Sequence, residues 1–249
     1  MSGHSKWSTI KRQKGVADAR RGQLFTKLGR EIVLAVRQGG AAPDMNPRLR
    51  LAVQKARDHN MPLENIERAI KKGSGDLEGA ALVETTYEGY GPGGVALLLE
   101  ALTDNRNRTL QEIRSILSRG GGSLGESGSV SWLFERQGVT IVDAQGPVAE
   151  EVALTAIDAG ADDFRVETEY VEVQSKPEDL PQVRRILEER GYKVTSAELV
   201  MAPKSVVELD EATTVQVLKL IDRLEGMDDM QRVFSNAEFS DAALQQYQF

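Results

Sequence analysis

The sequence predicts a multidomain α and α+β fold. An N-terminal all-helical domain is followed by two α+β domains, with the ferredoxin-like one inserted in the other. Apolar residues recur at helical spacing up to about residue 75, and the period becomes that of strands from residue 82. Between residues 138 and 202 the order of elements is βαββαβ, the ferredoxin-like arrangement. The predicted domains are residues 1–75, residues 80–136 with 204–249, and residues 137–203.

The first domain is predicted to contain three amphipathic helices behind a polar, basic leader. The first helix covers residues 16–38, and its apolar residues repeat every three or four positions. The second begins at Pro47 with Asn46 as its N-cap, because proline suits the first helical position and asparagine accepts an amide hydrogen. The third begins near Pro62, and Gly73 is its predicted C-cap.

The middle domain is predicted from extended segments separated by glycine-bearing turns. Its elements before the insertion are two strands joined by a Gly-Pro-Gly-Gly turn, then a helix and a strand: Leu82–Tyr90, Val95–Thr103, Arg108–Arg119 and Ser129–Phe134. A strand, a helix and a strand follow the insertion and are predicted to complete the sheet begun at residue 82: Ser205–Leu209, Ala212–Leu224 and Met230–Ser235.

The inserted domain is predicted from six short segments of alternating type. In chain order they are strand Val139–Val142, helix Val148–Ala159, strands Phe164–Glu167 and Tyr170–Gln174, helix Leu180–Arg190 and strand Lys193–Val200. This order also occurs in RNA-recognition domains, but residues 138–203 hold six basic and fourteen acidic residues. A net charge of −8 disfavours contact between this domain and RNA.

Charge is segregated along the chain. The first 37 residues carry nine lysines or arginines and two acids, and residues 1–72 have a net charge of +10, although the protein as a whole has −7. Because a phosphate responds to the field within about 10 Å at 0.1 M salt, this local excess predicts a polyanionic partner.

Composition excludes several classes of site. Without cysteine there is no disulfide, thiolate metal site or cysteine nucleophile, and His4 and His59 have no neighbouring acid at ligand spacing. No segment has the eighteen apolar residues of a membrane span, and no secretory signal is recognised. We therefore expect a cytoplasmic protein that is not an enzyme, with no cofactor, no metal, no membrane association and no small-molecule substrate.

Two other motifs have structural interpretations. Gly120, Gly122 and Gly125 match G-x-G-x-x-G, but the segment leaves a helix and enters a strand, which is the inverse of a dinucleotide site. A flexible connector is favoured, with an anion site of backbone amides as the alternative. The carboxylate pairs Asp162–Asp163 and Asp228–Asp229 are interpreted as solvated turns.

The candidate nucleic-acid contacts combine cations with one aromatic residue. Lysine and arginine neutralise phosphates, and an exposed indole can stack on an unpaired base. Two arginines near the start of the fourth predicted helix are included. Cations are unfavourable near the positive end of a helix dipole, so these arginines are interpreted as placed for an external partner. The set is Lys6, Trp7, Lys11, Arg12, Lys14, Arg20, Arg21, Lys27, Arg30, Arg106 and Arg108.

Several long segments resemble the YebC family of bacterial gene-expression proteins, which includes PmpR-type regulators and a mitochondrial translational activator. They include GHSKW, DARRGQLFTKLGREI, YEGYGPGG, LTDNRNRT and GGSLGESGSVSWLF, in the family's order. The resemblance implies three domains, one helical and two α+β, no known catalytic activity, and a role as a DNA-binding transcriptional regulator.

Other functions remain open at this point. The resemblance also allows a translation factor that acts at the ribosome, contacts ribosomal RNA and helps difficult sequences such as proline runs. A third hypothesis is an acidic interaction module whose basic end pairs with its own carboxylates, and it predicts no salt-sensitive affinity for nucleic acid. An enzyme is the remaining alternative, although no set of nucleophile, base and orienting residue can be named.

Overall fold

The computed structural model describes residues 18–75, 82–239 and 243–244, with the backbone alone at residues 18–20. These residues form two compact units. The first contains the residues up to 52, residues 62–135 and the residues from 202 onward, and the second contains residues 53–61 and 136–201. Within the described ranges, no helix is both long and apolar enough to cross a membrane. The predicted fold class is confirmed: a helical region precedes α+β structure.

Three helices form the N-terminal region: α1 (Asp18–Gly39), α2 (Pro47–Asp58) and α3 (Leu63–Gly73). The predicted apolar stripe of α1 lies inward, since Leu28, Ile32 and Val36 are buried. Gly73 ends α3, but its role differs from the predicted C-cap, a position that Ser74 occupies. A Cβ at Gly73 would lie 2.6 Å from the Cβ of Val36, so this glycine allows α1 and α3 to approach closely.

Asn46 joins α1 to α2. Its Oδ1 accepts the amide of Leu49 at 3.1 Å, which confirms the predicted N-cap. Its Nδ2 donates to the carbonyls of Ala35 and Gly40, at 2.7 and 2.8 Å, at the end of α1. One buried side chain therefore satisfies the start of one helix and the end of the other.

The first unit has eight further elements after the helical region, and the element numbers missing between them belong to the inserted domain. In chain order they are β1 (Val83–Tyr90), β2 (Ala96–Thr103), α4 (Arg106–Arg119), β3 (Ser123–Leu124), β8 (Val207–Glu208), α7 (Glu211–Glu225), β9 (Met230–Ser235) and β10 (Ala237–Glu238). Four of the strands form an antiparallel sheet in the order β3-β1-β2-β9. Leu97 of β2, Ile113 of α4 and Ile221 of α7 belong to one buried core.

Two predicted strands of this unit differ from the structure. The segment predicted as strand Ser129–Phe134 is mostly a loop with a 3-10 turn at Ser131–Leu133, because its amides bond to a side chain of β1 rather than to a strand. The segment predicted as strand Ser205–Leu209 shortens to β8, which pairs with β10 in a separate two-stranded sheet. β9 does complete the main sheet, as predicted, by pairing with β2.

The second unit has the predicted ferredoxin-like order. Its elements are β4 (Phe134–Asp143), α5 (Pro147–Asp158), β5 (Asp163–Val166), β6 (Tyr170–Ser175), α6 (Leu180–Glu189) and β7 (Lys193–Pro203). The sheet order is β5-β6-β4-β7, with the first and third strands of the motif in the centre. The end of α2 belongs to this unit, where Asp58 pairs with Arg184 at 2.9 Å and Lys55 with Glu198 at 2.6 Å.

Candidate nucleic-acid interface

The predicted contact residues divide into two groups. Lys6, Trp7, Lys11, Arg12 and Lys14 lie outside the described residues, and Arg20 is described by its backbone alone. The remaining five lie on α1 or at the start of α4: Arg21, Lys27, Arg30, Arg106 and Arg108. All five belong to the first unit.

Two cations of α1 contact the end of α7 and the loop that follows it. Lys27 and Arg30 are three positions apart, so they project from the same side of the helix. Lys27 Nζ donates to the carbonyl of Glu225. Arg30 Nη1 donates to the carbonyl of Asp228 at 2.7 Å and to Oδ1 of Asp229 at 2.9 Å. Arg21, nearer the start of the helix, is exposed.

The two arginines at the start of α4 have different surroundings. Asn105 caps this helix and accepts the amide of Arg108 at 3.1 Å. The Arg108 side chain donates to Oδ1 of Asp104 at 2.8 Å and to Oδ2 of Asp229 at 2.7 Å. Arg106 is exposed, and no hydrogen bond or ion pair of its guanidinium is found within the described ranges. Of the two, Arg106 is the one whose guanidinium has no carboxylate partner among the described residues.

Asp229 is the residue that brings these groups together. It is 5% exposed, and its carboxylate accepts hydrogen bonds from Arg30 and Arg108. Thr103 Oγ1 and Thr109 Oγ1 also donate to Oδ2, at 3.1 and 2.8 Å. Burial raises the pKa of Asp229, but the hydrogen bonds from Arg108, Thr109 and Arg30 lower it by more, so it lies below its ordinary value.

The interpretation of Asp228–Asp229 as a solvated turn is therefore wrong for Asp229, although Asp228 is exposed. The sequence gives no signal for this cluster, because its partners Arg30 and Arg108 are distant from it along the chain. A carboxylate held by two guanidinium groups connects α1, α4 and the loop before β9. This cluster accounts for part of the positive charge that was predicted to contact a ligand.

A second group of cations was not predicted. Arg68, Lys71 and Lys72 are exposed on α3 at i, i+3 and i+4, which places them on one face of the helix. Over the part of the chain that the structure describes, none of the three has a carboxylate partner. Their spacing is visible in the sequence, since residues three and four positions apart share a helical face.

Other cations of the helical region bind the protein itself. Arg48 donates to Glu31 at 2.9 Å and also to Glu84. The hydrogen bond to Glu84 is the main cause that raises the pKa of Arg48, against the opposing effect of burial. Arg50 donates to the carbonyls of Pro43 and Asp44, at 3.2 and 2.9 Å. The three cations of α3 thus differ from Arg48 and Arg50 in having no ion pair or hydrogen bond among the described residues, with Glu64 and Glu67 one turn away on the same helix.

The glycine-rich segment packs tightly against β1. A Cβ at Gly122 would lie 2.3 Å from the carbonyl oxygen of Tyr90. Farther along, the buried carboxylate of Glu88 accepts the amides of Gly128, Val130 and Ser131 at 2.7, 2.6 and 2.8 Å. The loop does form a nest of amides, but the protein's own carboxylate fills it.

Comparison with known proteins gives two matches to family models. Residues 5–76 match the model described as the TACO1/YebC protein N-terminal domain, and residues 82–237 match the model of the TACO1/YebC second and third domain. Together these ranges cover all of the elements described above except part of the C-terminal β10.

The chain is also similar over its length to individual proteins. It is 56% identical to a probable transcriptional regulatory protein of Dehalococcoides mccartyi, over 99% of this chain and 98% of that one. It is 51% identical to a probable transcriptional regulatory protein of Herpetosiphon aurantiacus, with the same coverage. The crystal structure of a conserved hypothetical protein from Aquifex aeolicus superposes with a TM-score of 0.82 at 48% identity, covering 90% of this chain and 93% of that one.

Proposed function

The chain belongs to the TACO1/YebC family, and we propose that it is a non-enzymatic regulator of gene expression that binds nucleic acid through its N-terminal helices. Relatives that match its full length are named probable transcriptional regulatory proteins, which supports a role in transcription. Our proposal takes DNA as the partner for that role. The ribosome-associated alternative has no comparable support from these names.

The observation that carries the proposal is the basic face of α3. Arg68, Lys71 and Lys72 are exposed together without a carboxylate partner among the described residues. Three exposed cations on one helical face can neutralise phosphates of a nucleic-acid backbone. Arg106 adds a further exposed guanidinium in the same unit.

The predicted contact residues have two roles in this proposal. Lys6, Lys11, Arg12, Lys14, Arg20 and Arg21 supply charge to the ligand, and Trp7 supplies a stacking surface. Arg30 and Arg108, which share Asp229, fix the position of α1 against α4. Both arginines keep partial exposure, 27% and 50% of the side chain, so each can also contact a phosphate at its outer edge.

Charge reversal on α3 tests the proposal. We expect the triple variant Arg68→Glu, Lys71→Glu, Lys72→Glu to fold normally, because the three side chains are exposed. Its affinity for duplex DNA should fall by at least about 100-fold at 0.1 M salt, since three phosphate contacts become repulsions. Fluorescence anisotropy with a labelled duplex measures this affinity.

A matched control reverses three exposed cations of the acidic second unit: Lys176→Glu, Arg185→Glu and Arg190→Glu. The net charge changes equally, so a loss caused by overall charge alone would be the same in both variants. Equal losses, or no salt-sensitive binding by the unaltered protein, would refute the proposal. Co-sedimentation with ribosomes in the absence of any promoter footprint would replace DNA by ribosomal RNA as the partner.

A further inference from the structure

Two exposed aromatic side chains converge on one carbonyl of the first unit. Trp132 is 64% exposed and Tyr90 is 37% exposed. Trp132 Nε1 donates to the carbonyl of Ser129 at 3.1 Å, and the Tyr90 hydroxyl donates to the same oxygen at 3.2 Å. The polar edge of each ring is therefore bonded to the protein, while much of the apolar ring area remains in solvent.

The loop that carries Trp132 is held in place by a buried carboxylate of β1. Glu88 accepts three of its amides, from Gly128, Val130 and Ser131. Burial raises the pKa of Glu88, but these hydrogen bonds lower it by more, so the carboxylate stays charged at neutral pH. An exposed indole on a loop held by charge-assisted hydrogen bonds loses little conformational entropy when a ligand covers it.

A cation lies beside the aromatic pair. Lys204 donates its backbone amide to the carbonyl of Leu133 at 2.8 Å, which holds the chain next to Trp132. Its Nζ donates to the carbonyl of Trp132 at 3.2 Å, and the side chain is exposed. The ammonium group is therefore bonded to the backbone of the residue whose indole is exposed, and cations combined with stacking aromatic rings are typical of single-strand binding surfaces.

We propose that Trp132, Tyr90 and Lys204 form a binding site for the unpaired bases of a single-stranded nucleic acid. The inference rests on the proposed function, which is that the first unit binds nucleic acid. It adds that this unit recognises nucleic acid in its single-stranded form. In a duplex each base face is covered by its neighbours, so an aromatic side chain gains a stacking contact only where a strand is open. The ammonium of Lys204 contacts the phosphate next to the stacked base.

The experiment compares two probes on the full-length chain. A labelled oligothymidine of about twelve nucleotides represents the single strand, and a labelled duplex of equal length is the second probe. We expect Trp132→Ala to weaken single-strand binding by about tenfold, the loss of one stacked base, and duplex binding by less than about twofold. Trp132→Phe keeps a stacking ring and should recover most of the single-strand affinity.

Phe164→Ala is the matched control, because Phe164 is an exposed aromatic residue of the other, acidic unit and should affect neither probe. The tryptophan fluorescence of Trp132 is the difference in emission between the unaltered protein and Trp132→Phe. Oligothymidine should quench this fluorescence, which reports stacking directly. Equal losses on both probes in Trp132→Ala, or no quenching, would overturn the stacking site without refuting duplex binding by the unaltered protein. Failure of the unaltered protein to bind either probe would overturn the proposed function as well.

Discussion

One buried carboxylate, Asp229, holds α1 and α4 against the loop before β9. Its removal should lower the stability of the protein at neutral pH. Asp229→Asn keeps the shape but loses the charge that Arg30 and Arg108 face. Because both arginines are partly exposed, we expect the free energy of unfolding to fall by only about 1–3 kcal/mol. Urea denaturation at pH 7 measures it, with Asp228→Asn as the exposed neighbouring control.

The same substitution should change the response to acid. The pKa of Asp229 is lowered in the folded protein, so its contribution to stability is full above the unfolded value of about 4. This contribution is lost as the pH falls through the folded pKa, and the difference between Asp229→Asn and the unaltered protein should shrink accordingly. A constant difference down to pH 2 would contradict this assignment. Sequence patterns could identify the arginines of this cluster but not Asp229, because its burial depends on contacts between distant segments.

The connection between α1 and α2 depends on both ends of a single amide side chain. Asn46→Ala removes the cap of α2 and leaves two carbonyls of α1 without their donor, so we expect a loss of about 2–4 kcal/mol. Asn46→Ser keeps an oxygen that can accept the amide of Leu49 and removes the bonds donated to Ala35 and Gly40. Its loss, measured by urea denaturation, should therefore be intermediate, and a loss as large as that of Asn46→Ala would contradict separate roles.

Local patterns predicted the helices and the ferredoxin-like order well, since helix periodicity and caps depend on neighbouring residues. Asn46 shows the limit: its bond to Leu49 is visible three residues along, but its bond to Ala35 is not. The predicted strand at residues 129–134 failed for a similar reason. Its alternating residues suit a strand, but the amides of Val130 and Ser131 bond to Glu88, more than forty positions earlier.

Charge is distributed differently over the two units, so we expect the first to bind nucleic acid and the second to repel it. The first unit contains the basic helices, and the acidic segment 138–203 lies almost entirely in the second. Cations that contact phosphates release counterions, whereas distant acids act only through the screened field. The salt dependence of the affinity can therefore distinguish the residues that contact the nucleic acid from those that only contribute charge. The sequence alone could not make this distinction for the cations of α3.

Salt titration of duplex binding should show this difference. If about five phosphates are neutralised, the logarithm of the affinity should fall with the logarithm of salt at a slope near −4.5, and the α3 triple variant should be shallower by about 2.7. Neutralising three exposed acids of the second unit, by Glu150→Gln, Glu151→Gln and Asp162→Asn, should leave the slope unchanged. An equal slope in the α3 variant and the unaltered protein would exclude α3 from the interface.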